Sequence, residues 1–221
     1  MADEKVHVYA HMMSEPSRAI IAFCKMNNIP HEVHIVDLAK GEQKSPEYEK
    51  INPQKKVPAI VHGDFKLFES HSILVYLARV FQVEDHWYPD DPKEQAKVNC
   101  YLHWHHSNLR QAGGYYEWKA IRTRFHGEPP NPEKESYYYG FVESSLNFIE
   151  NNLSENSYVA NTSYPTIADI SCFCHMMMYH MVKLDFDAYP RIKAWMERLQ
   201  ASNQALVEVH EPLLKFIEES L

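Results

Sequence analysis

Two different hydrophobic periods divide this sequence, and the change falls near residue 82. Up to that point, short runs with apolar residues at every second position alternate with runs whose apolar residues recur every three to four positions. The predicted order is strand, helix, strand, followed by strand, strand, helix. Beyond residue 92 only the helical period remains. The sequence therefore predicts an α/β domain followed by an all-α domain.

The boundary lies in the segment VEDHWYPDDP, at residues 83–92, which has no periodicity and is rich in acids and prolines. A chain of 221 residues is long enough for two modest domains. We predict a first domain at 1–82, a linker at 83–92 and a helical domain at 93–221. Within the last range, the predicted helices are 93–115, 133–152, 167–181, 189–201 and one that begins near 205.

Charge and termini limit the kinds of partner. The formal net charge of -8 argues against nucleic acid and against anionic lipid, because both require clustered Lys and Arg. The first residues are acidic where a signal peptide would be basic, and no run of about 18 apolar residues occurs. Four cysteines without a secretion signal favour reduced thiols. We expect a cytoplasmic protein with a small-molecule partner, no nucleic acid and no membrane.

The 14 histidines invite a metal site, but their spacing does not support one. Cys172 and Cys174 point to different faces of a predicted helix, and no Cys/His set stands at zinc spacing. His103 and His106 share a helix face, without a third ligand at fixed spacing. We therefore expect packing or surface roles for these residues and no metal.

The segment from Ser14 to Arg18 lies between the first strand and the first helix. Free backbone N–H groups and the positive end of the helix dipole suit an anion such as a thiolate. A hydroxyl donor there would favour the thiolate of a bound thiol, whose pKa is otherwise about 8.5. Ser14 is placed to be that donor, and Tyr9 on the first strand is the alternative. Simple helix capping by Ser14 or Ser17 remains the other interpretation.

Two further segments follow in the first domain. Residues 52–59, with the sequence NPQKKVPA, precede the third strand, and Pro58 forms either an ordinary turn or a cis bond that exposes the N–H and C=O of Val57. Glu69 and Ser70 begin the helix after the fourth strand. An acid beside a hydroxyl and an N–H suits an amino-acid zwitterion, with a plain helix cap as the alternative.

The order of these segments, SxPxR then KxVPA then ES, resembles the glutathione transferase superfamily. Residues 8–81 are similar to the theta class in particular, with the delta class next, and the similarity continues more weakly to Arg110. The resemblance implies a thioredoxin-like glutathione-binding domain, followed by a helical domain that receives the second substrate. It also implies a homodimer that uses glutathione as co-substrate, without a metal or a bound organic cofactor.

The resemblance also implies roles for individual residues. Ser14 hydrogen-bonds the glutathione sulfur, Val57 before a cis Pro58 pairs with the cysteinyl part, and Glu69 with Ser70 holds the γ-glutamyl end. Gln43 and Lys56 lie near the glycyl carboxylate, although the theta class often has His in place of Gln43. Arg110 is expected to reach the active site. His11 and Met13 are expected to form part of the wall of the second-substrate site. Trp118 belongs to an aromatic run that either lines this pocket or fills the helical core.

The expected reaction is attack of the glutathione thiolate on small hydrophobic electrophiles such as halides, sulfate esters and activated alkenes, with reduction of organic hydroperoxides as a side activity. Two alternatives involve no turnover. One is a binding module like the N-terminal half of the elongation factor 1 gamma subunit. The other is a carrier of hydrophobic ligands, which would need the second pocket but not Ser14.

Overall fold

A computed structural model describes residues 4–220, with every side chain in that range except that of residue 125. Its sheet has four strands in the order β2-β1-β3-β4. The strands are β1 (Val6–Ala10), β2 (His31–Ile35), β3 (Ala59–His62) and β4 (Phe65–Phe68). Strand β2 is parallel to β1, whereas β3 is antiparallel to both β1 and β4.

Helices cover both faces of this sheet. They are α1 (Glu15–Met26), α2 (Pro46–Glu49) and α3 (Ser70–Val80). Alternate residues of β1, beginning with Val6, are completely buried on the face where α1 and α3 pack. Tyr9 points to the other face and contacts Tyr48 of α2. The mixed sheet with this element order confirms the predicted thioredoxin-like fold.

From residue 92 to residue 220, the regular elements are all helices, as the sequence predicts. They are α4 (Pro92–Ser107), α5 (Leu109–Tyr116), a π-helix (Glu117–Phe125), α6 (Pro132–Glu155), α7 (Ile167–Met176), a 3-10 helix (Met177–Val182), α8 (Pro190–Ser202), α9 (Gln204–Glu208) and α10 (Glu211–Ser220). Across residues 4–220, no helix combines the length and the apolar character needed to cross a membrane.

The chain forms two compact units, and their limits differ from the predicted ranges in two places. One unit contains residues 4–88 and 203–220, and the other contains Pro89–Ser202. Trp87, from the predicted linker, is buried in the first unit with its ring edge-on to Phe23 at 5.9 Å. The last helices also belong to that unit, where Glu208 pairs with Lys25 at 2.7 Å.

The predicted helix at 93–115 is interrupted at Asn108, whose φ of -120° and ψ of -72° are not helical. Polar side chains explain the break. Ser107 donates to the carbonyl of His103, and the Asn108 amide donates to the carbonyl of Trp104. Such local bonds offer the backbone an alternative to the helical pattern. The helical period alone did not reveal them.

The sequence also gave no sign of the π-helix. It follows the pair Gly113-Gly114 in α5, where the backbone comes close to α6. A Cβ at Gly114 would lie 2.3 Å from a ring carbon of Tyr138, so this position requires glycine. The tight contact between α5 and α6 thus depends on a residue without a side chain.

Asp169 is the centre of a buried polar network in the helical unit. Thr166 and Asp169 form a capping box at the start of α7. The Asp169 carboxylate also accepts hydrogen bonds from the Val159 N–H and the Trp195 Nε1–H, both at 3.0 Å. The α-helical part of the predicted helix 167–181 ends at Met176 and continues as the 3-10 helix.

Candidate active site

The sheet register brings the three predicted segments to one end of the sheet. Tyr9 of β1 pairs with Ala59 of β3, and Ala59 pairs with Phe68 of β4. The chain leaves β1 toward Ser14 at this end, enters β3 from Val57-Pro58, and leaves β4 into Glu69. Because neighbouring strands lie about 4.8 Å apart, the row from Tyr9 to Phe68 spans only about 10 Å.

Ser14 is the residue that precedes α1, and its backbone is extended, with φ -82° and ψ 115°. Pro16 stands in the first turn, where its missing N–H is not needed. In this described part of the chain, the Ser14 side chain makes no hydrogen bond that caps the helix. The capping interpretation of Ser14 is therefore not supported, and its half-buried hydroxyl remains available at the positive end of the helix.

Hydrogen bonds fix the loop between β1 and α1 from inside the unit. Arg18 is completely buried, and its guanidinium donates to the carbonyl of Met12 at 2.6 Å. Ser17, also buried, accepts from the N–H of His11 at 3.4 Å. The N–H of Ser14 donates to the carbonyl of His11 at 2.9 Å. These bonds hold Ser14 at a defined position beside the helix N-terminus.

His11 is held as a neutral acceptor in this loop. Its Nδ1 accepts a hydrogen bond from the N–H of Met13 at 3.2 Å, so the proton of the neutral ring lies on Nε2. Burial lowers the pKa of His11, and the charge of Asp37 opposes that shift. His11 and Met13 are both half-buried next to Ser14 in the chain. Their side chains give this loop a weakly polar surface.

The segment before β3 is anchored through one carbonyl. The Lys56 C=O accepts two hydrogen bonds of 2.7 Å, one from the Tyr48 hydroxyl and one from the Asn52 amide. Burial raises the pKa of Tyr48 to about 12, so its hydroxyl stays a donor. The following Val57-Pro58 bond is cis, as the resemblance implied. The Lys56 side chain itself is exposed.

Glu69 and Ser70 occupy the junction between β4 and α3. Glu69 has φ 70° and ψ 105°, a conformation that costs an ordinary residue about 1–3 kcal/mol. Ser70 is the first residue of α3 and is buried, whereas Glu69 is exposed. A carboxylate acceptor, a hydroxyl and free helix N–H groups thus lie side by side.

Gln43 lies in a 3-10 turn (Glu42–Lys44) that follows β2 at the same end of the sheet. Its Oε1 is buried and accepts no hydrogen bond from any residue that the structure describes. A buried amide oxygen without a partner is uncommon in folded proteins, so it requires an explanation. Gln43 remains a candidate binding residue on this ground.

Tyr9 lies on the sheet face that carries α2. Its ring stacks on His34 with the centroids 4.8 Å apart and meets Tyr48 edge-on at 6.3 Å. These contacts give Tyr9 a packing role on that face. They favour Ser14, at the helix N-terminus, as the donor to a bound thiol.

Arg110 and Trp118 belong to the helical unit. Arg110 is the second residue of α5 and is half-buried. The ring of Trp118 is covered by two cations, with Lys134 Nζ 3.7 Å and the Arg122 guanidinium 4.7 Å from its centroid. Such pairs stabilise a packed arrangement. The expected roles of Arg110 and Trp118 toward a second substrate remain predictions.

Sequence reasoning assigned no role to three residues that position the site: Arg18, Tyr48 and Asn52. Arg18 is part of the SxPxR pattern, and a fully buried arginine is rare enough to indicate a specific task. Tyr48 and Asn52 carry no such signal. Their partner, the carbonyl of Lys56, becomes apparent only when the fold brings it near.

Comparison with known proteins agrees with this geometry. The family described as glutathione S-transferase, N-terminal domain, matches residues 4–79, and the corresponding C-terminal domain family matches residues 126–203. The Arabidopsis thaliana protein named glutathione S-transferase T1 is 39% identical over 224 residues, with 97% of this chain and 91% of that protein covered. Human glutathione S-transferase theta-1 is 35% identical, with coverages of 95% and 89%.

A solved structure shows the same fold. It is a human theta-class glutathione transferase in complex with the glutathione conjugate of 1-menaphthyl sulfate, with a TM-score of 0.90, 32% identity, and 98% of this chain and 90% of that one covered. These relatives are enzymes that use glutathione as co-substrate. The chain therefore belongs to the glutathione S-transferase family, as a theta-class-like enzyme that conjugates glutathione.

Proposed function

We propose that this enzyme joins glutathione to small hydrophobic electrophiles, with Ser14 as the hydrogen-bond donor to the reacting sulfur. The observation that carries the proposal is the Ser14 hydroxyl, which is not used as a cap and stands at the N-terminus of α1. A thiolate there would receive the hydroxyl bond and the field of the helix end together. Both favour the charged form and lower the pKa of the thiol.

The reaction conserves atoms and charge. The thiol proton passes to solvent, and the sulfur electron pair attacks an electrophilic carbon. A new C–S bond forms while the bond to halide or sulfate breaks, and the leaving group departs with the electron pair. With an activated alkene, the carbanion takes up a proton instead. A positioned thiolate supplies both outcomes without a further group.

The rest of the site would hold the peptide. Glu69 accepts from the γ-glutamyl ammonium group, while Ser70 and the N–H groups of α3 donate to its carboxylate. Val57 offers its backbone to the cysteinyl part, next to Pro58. We assign Gln43 and Lys56 to the glycyl end. The buried amide of Gln43 supports this assignment, because a ligand would supply the partner that it lacks.

Two electrophile classes follow from the proposed chemistry. Sulfate esters are favoured by the human relative, whose structure holds the conjugate of such an ester. Organic hydroperoxides would react as a side activity. The thiolate attacks the peroxide oxygen to give an alcohol and glutathione sulfenic acid, and a second glutathione converts that acid to the disulfide and water. His11 and Met13 would border the electrophile, with Arg110 and Trp118 as supporting residues.

A substrate panel tests the proposal. Retention on immobilised glutathione should come first, followed by rate measurements with alkyl halides, an arylmethyl sulfate ester, an activated alkene and cumene hydroperoxide. We expect turnover above the uncatalysed rate with at least the halide or the sulfate ester. Retention without turnover in any class would contradict the proposed reaction and would favour the ligand-carrier alternative.

We also propose a homodimer, which is the arrangement that the family implies. Phe65 on the edge strand β4 is 42% exposed, and an apolar ring on a sheet edge favours contact with another chain. Light scattering at working concentration should give twice the 26.0 kDa of one chain. A 26.0 kDa species that retains full turnover would contradict this assignment.

A further inference from the structure

Three potential metal ligands meet on the sheet face opposite α1 and α3, outside the proposed glutathione site. His7 of β1 pairs in register with Glu32 of β2, and Tyr9 pairs with His34. Register partners in a parallel pair point to the same face, and so do residues two positions apart on one strand. The side chains of His7, Glu32 and His34 therefore share one face of the sheet.

The potential metal-ligand atoms of these residues lie close together. His7 Nδ1 lies 2.9 Å from His34 Nε2, and Glu32 Oε1 lies 3.8 Å from the same His34 nitrogen. One potential ligand atom from each residue lies within 4.8 Å of the others. Ligand atoms around a tetrahedral Zn²⁺ with bonds of about 2.0–2.1 Å are about 3.4 Å apart. Small rotations of the side chains would therefore reach metal geometry.

Neighbouring side chains would orient the ligands. The Tyr9 ring stacks on His34 with an interplanar angle of 19°. Lys5 Nζ contacts Glu32 Oε2 at 3.4 Å, which leaves Oε1 toward His34. Supporting contacts of this kind fix the rotamers of metal ligands. The side chains of His34 and Glu32 are 35% and 48% exposed, so solvent can supply an entry path and a fourth ligand.

We propose that His7, Glu32 and His34 bind a divalent transition-metal cation, with Zn²⁺ as the representative ion. Two imidazoles and one carboxylate suit zinc, cobalt and nickel, whereas Mg²⁺ and Ca²⁺ prefer sites made entirely of oxygen. The bound ion joins the edge strand β2 to β1. Since only the folded chain presents the three ligands together, the ion stabilises the first unit.

Sequence spacing did not reveal this site, and the expectation of no metal rested on spacing and on the family resemblance. His7 and His34 are 27 residues apart, on strands that the fold makes neighbours. Zinc patterns that can be read from sequence place paired ligands only a few residues apart. Strand register, rather than chain distance, brings these ligands together.

Calorimetric titration of the protein with zinc chloride, in the absence of glutathione, tests the proposal. A Cys100→Ser background removes the one thiol that is exposed among the described residues. We expect one site, with affinity reduced at least about tenfold in His7→Gln and in His34→Gln, since even indirect partners of ligands contribute that much. Magnesium chloride should give no comparable binding.

His103→Gln is the matched control, because His103 and His106 form the alternative pair on an exposed helix face. It should leave zinc affinity unchanged. If His7→Gln does not fold, as judged by circular dichroism, Glu32→Gln replaces it, since that side chain is half-exposed. The proposal is wrong if the parent shows no zinc site tighter than about 100 μM, where binding is only about −5.5 kcal/mol. It is also wrong if the ligand variants bind like the parent, or if His103→Gln removes binding.

Discussion

The two units of this enzyme use different means to place their important residues. In the first unit, strand register and helix ends position short motifs, so that Ser14, Val57 and Glu69 reach one end of a sheet. In the helical unit, aromatic and polar side chains pack against each other, as Trp118 and Asp169 do. A site that backbone geometry defines can therefore be inferred from motifs, whereas a surface that side-chain packing defines requires the folded structure.

The largest expected effect is on chemistry in the first unit. Ser14→Ala should lower turnover by about a hundredfold or more, because it removes the donor to the developing thiolate. The pKa of bound glutathione should rise toward the free-thiol value of about 8.5. Glutathione affinity should change little. A pH titration of thiolate absorbance in the binary complex measures the shift.

Tyr9→Phe is the matched control for that experiment, since it removes a hydroxyl from a ring that packs on the α2 face. It should leave turnover and the thiol pKa unchanged. The opposite result, with an inactive Tyr9→Phe and a normal Ser14→Ala, would exchange the two assignments.

The next effect concerns binding at the start of α3. Ser70→Ala and Glu69→Gln should each weaken glutathione binding by about ten- to a hundredfold, since one charge-assisted hydrogen bond contributes about 1.5–3 kcal/mol. Calorimetry with S-methylglutathione, which has no free thiol, isolates this effect. Ser72→Ala, on the exposed face of the same helix, should bind normally. Parent-like affinity in both site variants would place the peptide elsewhere.

A change in the helical unit should affect stability and leave glutathione binding intact. Asp169→Asn replaces one acceptor oxygen by an NH₂ group that cannot accept from its donors. We expect the free energy of unfolding to fall by about 2 kcal/mol. Urea denaturation measures it, and calorimetry at a temperature where the variant is folded checks binding. Loss of glutathione affinity in the folded variant would contradict the division of roles.

The loss of unfolding free energy in Asp169→Asn should depend on pH. Burial raises the pKa of Asp169 to about 6, although four hydrogen bonds oppose the shift. The usual value in an unfolded chain is about 3.9, so between about pH 4 and pH 6 the folded protein binds more protons. The stabilising effect of the raised pKa is complete below about pH 4 and is lost as pH rises through 6. The difference in unfolding free energy between the parent and Asp169→Asn should therefore be larger at pH 5 than at pH 7.

The smallest effect tests a contact that sequence reasoning missed. Tyr48→Phe removes one of two donors to the Lys56 carbonyl, and should lower the free energy of unfolding by about 1 kcal/mol. Glutathione affinity should fall only a few fold, because Asn52 still holds the carbonyl. Thermal melting and calorimetry on the same samples measure both. An effect as large as that of Ser70→Ala would show that Tyr48 contacts the ligand.

The hydrophobic periods predicted the α/β and all-helical halves, whereas the cis bond before Pro58 was implied only by the family resemblance. Neither predicted the break at Asn108, where side-chain hydrogen bonds compete with the helix. The π-helix after Gly114 was not predicted either. The close packing at Gly114, just before this helix, depends on a contact with Tyr138, a residue that is distant in sequence.

The residues of the candidate site also fall into those that the sequence could indicate and those that it could not. Ser14, Glu69 and Ser70 could be selected from the sequence, because helix N-termini attract polar residues in recognisable patterns. Arg18 and Asn52 could not be assigned a role, since their partners are carbonyl groups, which leave no trace in the residue types. The network that holds a site is therefore harder to infer than the groups that contact its ligand.

The backbone of Glu69 sets stability against function at a single position. Glycine tolerates a φ of 70° more readily than glutamate, because it has no Cβ. Selection for thermostability alone would therefore favour glycine there, yet the chain would lose the acceptor that we propose for the ammonium group. A directed-evolution screen that scores only heat resistance would discard this proposed glutathione contact, unless the screen also includes the co-substrate.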